Sequence, residues 1–202
     1  MKKKIQTLCV YCGASIGASP VYAKAAVELA KAMVQNDIAL VYGGGHVGLM
    51  GQIADAVLAA GGKVTGVIPE ALMQAEIAHH RLTRLIVVKD MHERKAQMAA
   101  LSDGFIAMPG GIGTLEELFE ALTWAQLGFH DKPVALFNTN GFFDGLLDFM
   151  QHLVKQGFLK AEHAALLLAD ADPDSLLQQL QQFEMQEGVS WLSRRAAANL
   201  GP

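Results

Sequence analysis

The chain has 202 residues and a mass of 21.6 kDa, with 51% hydrophobic and only 18% charged residues. A chain of this size buries about 70% of the surface of its unfolded form, and this composition excludes an intrinsically disordered protein. The net charge of -4 excludes a protein that binds nucleic acid mainly by neutralising phosphates, which needs a strongly basic surface. We therefore expect one globular domain over residues 1–184, followed by a more polar tail of unknown role over residues 185–202.

The charge is unevenly distributed along the chain. Residues 1–100 carry 11 Lys or Arg and 7 Asp or Glu, a net +4, whereas residues 101–202 carry 5 and 13, a net -8. Five of the basic residues lie between Arg81 and Lys95. This stretch is either a solvated face or a site for a small anionic ligand, and the residues alone leave both interpretations open.

Short aliphatic segments that end at glycine or proline alternate with longer segments of helical periodicity. The predicted strands cover residues 8–11, 39–42, 64–68, 85–88, 104–108 and 134–137. The predicted helices cover residues 20–34, 47–59, 91–101, 114–127, 143–156 and 173–183, and the first follows an N-cap signal, Ser19-Pro20. This alternation predicts an α/β fold with a Rossmann-like, doubly wound parallel sheet in a single domain.

The sequence offers little support for a membrane, metal or redox protein. No apolar run reaches the roughly 18 residues that cross a bilayer. The seven histidines and two cysteines lack the spacing of metal ligands. Cys9 and Cys12 form a C-x-x-C pattern inside a predicted strand, whereas a redox pair needs its first cysteine at a helix N-terminus. We expect a cytoplasmic protein that needs neither a metal nor a cofactor.

Glycine-rich turns follow three of the predicted strands, at residues 12–15, 43–48 and 109–114. Ligands of open parallel sheets bind beyond the carboxyl ends of the strands, and glycines before a helix let backbone N–H groups approach an anion. These turns therefore predict a phosphate-bearing ligand. The G-x-G-x-x-G pattern at 43–48 is weak evidence for a dinucleotide, because Glu70 is a poor match to the acidic residue such sites need.

Charged residues also follow two of the predicted strands, the fourth and the fifth. Glu116 and Glu117 open the helix after the third turn, where carboxylates either stabilise the helix dipole or stabilise positive charge on a sugar and activate water. Arg94 and Lys95 follow the fourth strand, where they either bind a phosphate or sugar or lie on the surface.

Three motifs in this order resemble the LONELY GUY (LOG) family: YGGGHVGLMG at 42–51, MHERK at 91–95 and PGGIGTLEE at 109–117. The resemblance extends over about residues 8–148 and includes TWAQLG at 123–128 and HDKP at 130–133. Members of this family are phosphoribohydrolases that release the free base from cytokinin riboside 5'-monophosphates, and many were formerly labelled possible lysine decarboxylases. Ile112 differs from the tyrosine that is common in plant members.

The resemblance implies a catalytic pair, Arg94 and Glu117. It also implies that a purine nucleoside 5'-monophosphate is bound by Glu76, Arg94, Lys95, Gly110, Gly111, Ile112, Gly113, Thr114, Glu116 and Thr123. A homodimer, with the site near the subunit interface, is implied as well.

The expected function is hydrolysis of the N-glycosidic bond of a purine nucleoside 5'-monophosphate, with an N6-substituted adenine or AMP as substrate. One alternative is a non-catalytic nucleotide-binding or carrier module built on the same sheet. The other is the decarboxylase of the former label, which needs pyridoxal phosphate on a lysine that nothing in the sequence marks.

Overall fold

A seven-stranded sheet forms the centre of the computed structural model, which describes residues 4–74, 78–186 and 188–192. All of its strand pairings are parallel, in the order β4-β3-β2-β1-β5-β6-β7. The strands are β1 (Thr7–Tyr11), β2 (Ala39–Tyr42), β3 (Val64–Pro69), β4 (Arg84–Val88), β5 (Gly104–Ala107), β6 (Val134–Phe137) and β7 (Leu167–Asp170).

Helices connect successive strands. They are α1 (Pro20–Gln35), α2 (Gly48–Ala59), α3 (Glu70–Gln74), α4 (Met91–Ala100), α5 (Ile112–Leu127), α6 (Asp144–Lys155), α7 (Ala161–Ala164) and α8 (Pro173–Gln182), with a 3₁₀ turn at Thr139–Gly141. The predicted start of α1 is confirmed, because the Ser19 hydroxyl accepts a hydrogen bond from the Val21 N–H and Pro20 is the first helical residue. None of the described helices is long and apolar enough to cross a membrane.

The hydrophobic core lies in two layers, one on each face of the sheet. Helices α1, α2 and α8 cover one face through residues such as Leu29, Ile53 and Leu176. Helices α4 and α5 cover the other through Met98 and Leu118. Because the central strands are buried on both faces, they are apolar throughout, and this confirms the predicted doubly wound α/β fold.

Three short elements were not predicted: β7, α3 and α7. Strand β7 is an edge strand whose last three residues are only half-buried. It lies in the apolar run AALLLA at 164–169, but Leu and Ala favour helices and the strand contains no β-branched residue. Helices α3 and α7 have five and four residues, too few to show a helical period. At the start of the expected tail, Val189 and Ser190 are buried, and the Val189 carbonyl lies 3.0 Å from His163 Nε2. Residues 193–202 lie outside the described residues.

The strand order reverses between β1 and β5, and this reversal positions the site. The chain builds the sheet outward from β1 to β4 and then returns to place β5 on the other side of β1. Loops that leave two neighbouring strands in opposite directions open a crevice beyond the carboxyl ends of those strands.

Candidate active site

A cavity of about 450 Å³ lies in this crevice. The loop after β1 and the loop after β5 form its walls, and the Gly13 N–H donates to the Pro109 carbonyl at 3.1 Å to hold the two loops together. Tyr22 of α1, Leu49 of α2 and Phe142 complete the lining. The predicted location of the binding site, at the strand ends, thus coincides with an open space large enough for a small ligand.

The loop after β5 leads directly into α5 and presents its backbone N–H groups. Gly111 caps the helix in an extended conformation without a side-chain hydrogen bond, and the first N–H groups of a helix have no intrahelical acceptor. A Cβ at Gly110 would lie 2.1 Å from Thr114 Oγ1, so the loop needs glycine there. At Gly111 and Gly113 a Cβ would have no described atom within 4 Å. These two glycines therefore leave room for a ligand beside the positive end of the helix dipole.

Arg94 of α4 and Glu117 of α5 meet as a loose pair in this part of the molecule. Their side chains are 10% and 12% exposed, and Arg94 Nη2 lies 3.9 Å from Glu117 Oε1. Arg94 Nη2 also donates to the Gly43 carbonyl at 3.4 Å, whereas Arg94 Nε has no hydrogen-bond partner among the described residues. Arg94 Nε is thus a buried donor without an acceptor in the described part of the chain, and an unsatisfied buried donor costs free energy.

Burial of the Glu117 carboxyl raises its pKa to about 7, although the positive charge of Arg94 acts in the opposite direction. A carboxyl with this pKa exchanges its proton readily near neutral pH, which suits a group that gives and takes protons during a reaction.

The glycine turn after β2 packs against Arg94. A Cβ at Gly43 would lie 1.9 Å from Arg94 Nη2. Gly48 has a φ of +58°, and a Cβ there would lie 2.2 Å from the Ala14 carbonyl carbon. Close packing in the protein therefore accounts for these glycines, without a bound dinucleotide.

Lys95 lies next to Arg94 but has very different surroundings. Its ammonium forms an ion pair with Glu116 and a second with Glu120, the latter at 3.0 Å. Lys95 is 10% exposed, whereas the Glu116 and Glu120 side chains are 51% and 28% exposed. Glu120 was not predicted as a site residue, although its spacing of four from Glu116 places both carboxylates on one face of α5.

The structure brings together most of the predicted site residues. Six of them, at positions 110–114 and 116, follow one another along the start of α5, beside the Arg94–Glu117 pair and Lys95. Thr123 is exposed, one turn beyond Glu120 on the same helix. Glu76 lies outside the described residues.

The described residues contain no group of three His, Cys, Asp or Glu side chains placed to hold a metal ion. Cys9 and Cys12 are buried in opposite layers of the core, and burial raises the pKa of both thiols well above the ordinary value. Such thiols are poor nucleophiles.

Comparisons with known proteins agree with these features. The family model described as "possible lysine decarboxylase" matches residues 50–180. The chain is 46% identical over 195 residues to the Arabidopsis thaliana cytokinin riboside 5'-monophosphate phosphoribohydrolase LOG5, covering 96% of this chain and 86% of that protein. It is 45% identical over 183 residues to LOG1 of the same plant, covering 91% and 86%.

Among solved structures, the molybdenum cofactor carrier protein of Chlamydomonas reinhardtii is similar, with a TM-score of 0.66 and 23% identity over 89% of this chain and 98% of that one. The molybdenum cofactor binding protein of Rippkaea orientalis has a TM-score of 0.65 and 22% identity over 90% and 98%. At these identities the similarity concerns the fold alone. The sequence relatives, at 45% and 46% identity over more than 90% of this chain, show that it belongs to the family of the cytokinin riboside 5'-monophosphate phosphoribohydrolases.

Proposed function

We propose that this protein hydrolyses the N-glycosidic bond of purine nucleoside 5'-monophosphates, with N6-substituted adenine as the preferred base and AMP as a further substrate. The products are the free base and ribose 5-phosphate. The observation that carries the proposal is the buried, incompletely bonded pair of Arg94 on α4 and Glu117 on α5, because α5 begins at the open glycine turn after β5. The relatives named for this reaction, at about 45% identity, support it.

The N-terminus of α5 would bind the 5'-phosphate through the backbone N–H groups of residues 111–114 and the Thr114 hydroxyl. A rise of 1.5 Å per residue places Glu117 about 7 Å along the helix from Ile112, within the span of a ribose 5-phosphate. Binding energy from the phosphate would thus hold the anomeric carbon beside Glu117, although the phosphate takes no part in the reaction.

At the anomeric carbon, the bond from C1' to the base nitrogen breaks and its electron pair leaves with the base. The Glu117 carboxylate stabilises the positive charge that develops on the sugar and orients the attacking water. As the new C1'–oxygen bond forms, Glu117 accepts a proton from that water, which its pKa of about 7 permits. The departing base takes up a proton from the solvent, and Glu117 afterwards returns its proton to the solvent. Arg94 orients the substrate with its guanidinium, whose Nε is available for a new hydrogen bond.

Gly110, in the glycine turn after β5, would hold the phosphate together with residues 111–114, and the remaining predicted residues would line the nucleotide pocket: Glu76, Lys95, Glu116 and Thr123. Lys95 would act indirectly, because its ion pairs with Glu116 and Glu120 orient these carboxylates toward the ligand.

Pyridoxal phosphate chemistry does not fit the described residues. Among the described lysines, Lys95 has a buried side chain. Two carboxylates, Glu116 and Glu120, stabilise its protonated form. A Schiff base needs a lysine whose amine is free and unprotonated, so the decarboxylase alternative has no candidate here.

A homodimer in the cytoplasm completes the proposal. Ile112 is 83% exposed and Met91 is 43% exposed, and both are apolar side chains beside the proposed site. A partner subunit that covers this edge would remove them from water, and two-fold dimers are the commonest assemblies.

Chromatography of reaction mixtures tests the activity. Purified protein is incubated with AMP and with isopentenyladenosine 5'-monophosphate, beside Glu117→Ala and beside the unphosphorylated nucleosides. Release of base that requires both the phosphate and Glu117 is the expected result. Binding of both monophosphates by a folded protein without base release would instead favour the non-catalytic binding module.

A further inference from the structure

A buried histidine, His79, lies in a segment that packs on the Gly43–Gly45 turn, which Arg94 also contacts. His79 is 4% exposed, and its backbone N–H donates to the Gly44 carbonyl at 2.9 Å. Its neighbour Ala78 forms an antiparallel bridge with Gly45. The segment that contains His79 is therefore held against the turn by backbone contacts.

The His79 side chain has a hydrogen bond at each ring nitrogen. Nδ1 accepts from the Arg81 N–H at 3.2 Å, so Nδ1 carries no proton. The ring proton is then on Nε2, which donates to Asp55 Oδ1 at 3.2 Å. Asp55 belongs to α2, the helix that follows the turn, so the imidazole ties this helix to the segment at residues 78–81.

Arg94 contacts the same turn. Its contacts to fixed groups are few and long: the Gly43 carbonyl at 3.4 Å, Met91 Sδ at 3.5 Å and Glu117 at 3.9 Å. The guanidinium also packs directly on Gly43, where a Cβ would lie 1.9 Å from Arg94 Nη2, so a shift of this residue would displace the guanidinium.

We propose that His79 is a positioning residue for Arg94. His79 fixes the Gly43–Gly45 turn and thereby sets the distance between Arg94 and Glu117. The inference rests on the proposed hydrolysis for its kinetic consequence. No sequence motif marks His79, and its side chain needs no contact with the substrate for this role.

The kinetic test uses His79→Leu, which removes both ring hydrogen bonds, and His79→Gln, whose amide can still donate toward Asp55. The matched control is His80→Leu, at an exposed neighbouring position. We expect His79→Leu to lower kcat for base release about 10- to 100-fold, with KM changed less than about threefold, since misplacement by about 1 Å has effects of this size. His79→Gln should recover to within about fivefold of the wild type. A folded His79→Leu protein with wild-type kcat would overturn the inference.

A double-mutant cycle tests whether His79 acts through Arg94. If it does, His79→Leu lowers the rate of an Arg94→Ala protein by less than about twofold, whereas independent roles make the two losses multiply. Multiplied losses would overturn the inference. If His79→Leu does not fold, Asp55→Ala replaces it, with Arg81→Ala as its control. Asp55→Ala removes the hydrogen bonds of Asp55 to both His79 and Arg81, whereas Arg81→Ala removes only the latter. A larger loss of kcat in Asp55→Ala is expected, and equal losses would overturn the inference.

A titration separates this inference from the proposed function. The Glu117 carboxyl is followed by NMR in ¹³C-labelled protein, in the wild type, His79→Leu and His80→Leu. If Arg94 moves away, the pKa of Glu117 rises by at least about half a unit in His79→Leu alone. This result would support the positioning role even in a protein that releases no base, and an unchanged titration would overturn it.

Discussion

Two ion pairs with consecutive residues on the same two helices behave in opposite ways. Lys95 forms two close contacts with carboxylates that are themselves accessible to water. Arg94 and Glu117 are both buried, yet their closest atoms are 3.9 Å apart and Arg94 Nε has no partner in the described chain. The first arrangement is complete and links α4 to α5, whereas the second is incomplete without a ligand. The degree of hydrogen-bond satisfaction thus distinguishes them better than burial or charge does.

The largest expected difference between the two pairs is in turnover. Glu117→Gln removes the charge that would stabilise the sugar cation, so kcat for base release should fall by about 10³-fold. Glu116→Gln, the matched change at the next residue, should lose less than about tenfold, mainly in KM. Equal losses in the two variants, measured by steady-state kinetics on folded protein, would remove the distinction between the pairs.

The role of the Arg94 position can be tested by a substitution at Gly43, on which its guanidinium packs. Gly43→Ala would place a Cβ 1.9 Å from Arg94 Nη2, and the flexible guanidinium is the group that must move. We expect kcat to fall about 100-fold while the melting temperature changes little. Gly145→Ala, where a Cβ meets no described atom within 4 Å on α6, is the control and should retain wild-type kinetics.

The pH dependence of the reaction tests whether Glu117 is the group that titrates. In the proposed mechanism the ionised Glu117 is the active form, and burial raises its pKa to about 7. The value of kcat/KM should therefore rise about tenfold per pH unit below pH 7 and level off above it. A profile that is flat between pH 5 and pH 8 in a stable protein would exclude Glu117 as the titrating group.

The smallest effect expected is on stability, and its sign follows from the same pKa. The folded-state pKa of Glu117 is raised above its ordinary value of 4.5, so the unfolded chain loses this proton first as the pH rises. The free energy of unfolding is therefore highest below pH 4.5, where Glu117 is protonated in both states. It falls by about 1–3 kcal/mol as the pH rises from 4.5 to 7. The difference in unfolding free energy between Glu117→Gln and the wild type should therefore grow over this range. A constant difference in urea unfolding would contradict the raised pKa.

Most of the sheet could be predicted because its central strands are buried on both faces. Segments such as β2 and β6 are short, wholly apolar and bounded by glycine or proline. Of the two edge strands, β4 was predicted although most of its residues are exposed or half-buried, because Ile86, Val87 and Val88 are β-branched. The edge strand β7 was missed because it contains only Leu, Ala and Asp, and Leu and Ala favour helices.

The glycine turns and the charged residues near the strand ends could also be predicted, because each is recognised from a short local motif. The contact of Gly43 with Arg94 joins residues 51 positions apart, and no local pattern indicates it. His79 is similar, since its partner Asp55 is 24 positions away. The assignment of catalytic and binding roles to the predicted residues stays a prediction.

The reversal of strand order between β1 and β5 has a consequence for assembly of the protein. Arg94 comes from the first, positively charged half of the chain, and Glu117 comes from the second, negatively charged half. Neither half contains both members of the pair, and they meet when β5 docks beside β1. Catalytic competence during refolding should therefore appear late and all at once, after the two oppositely charged halves have attracted each other and closed the sheet.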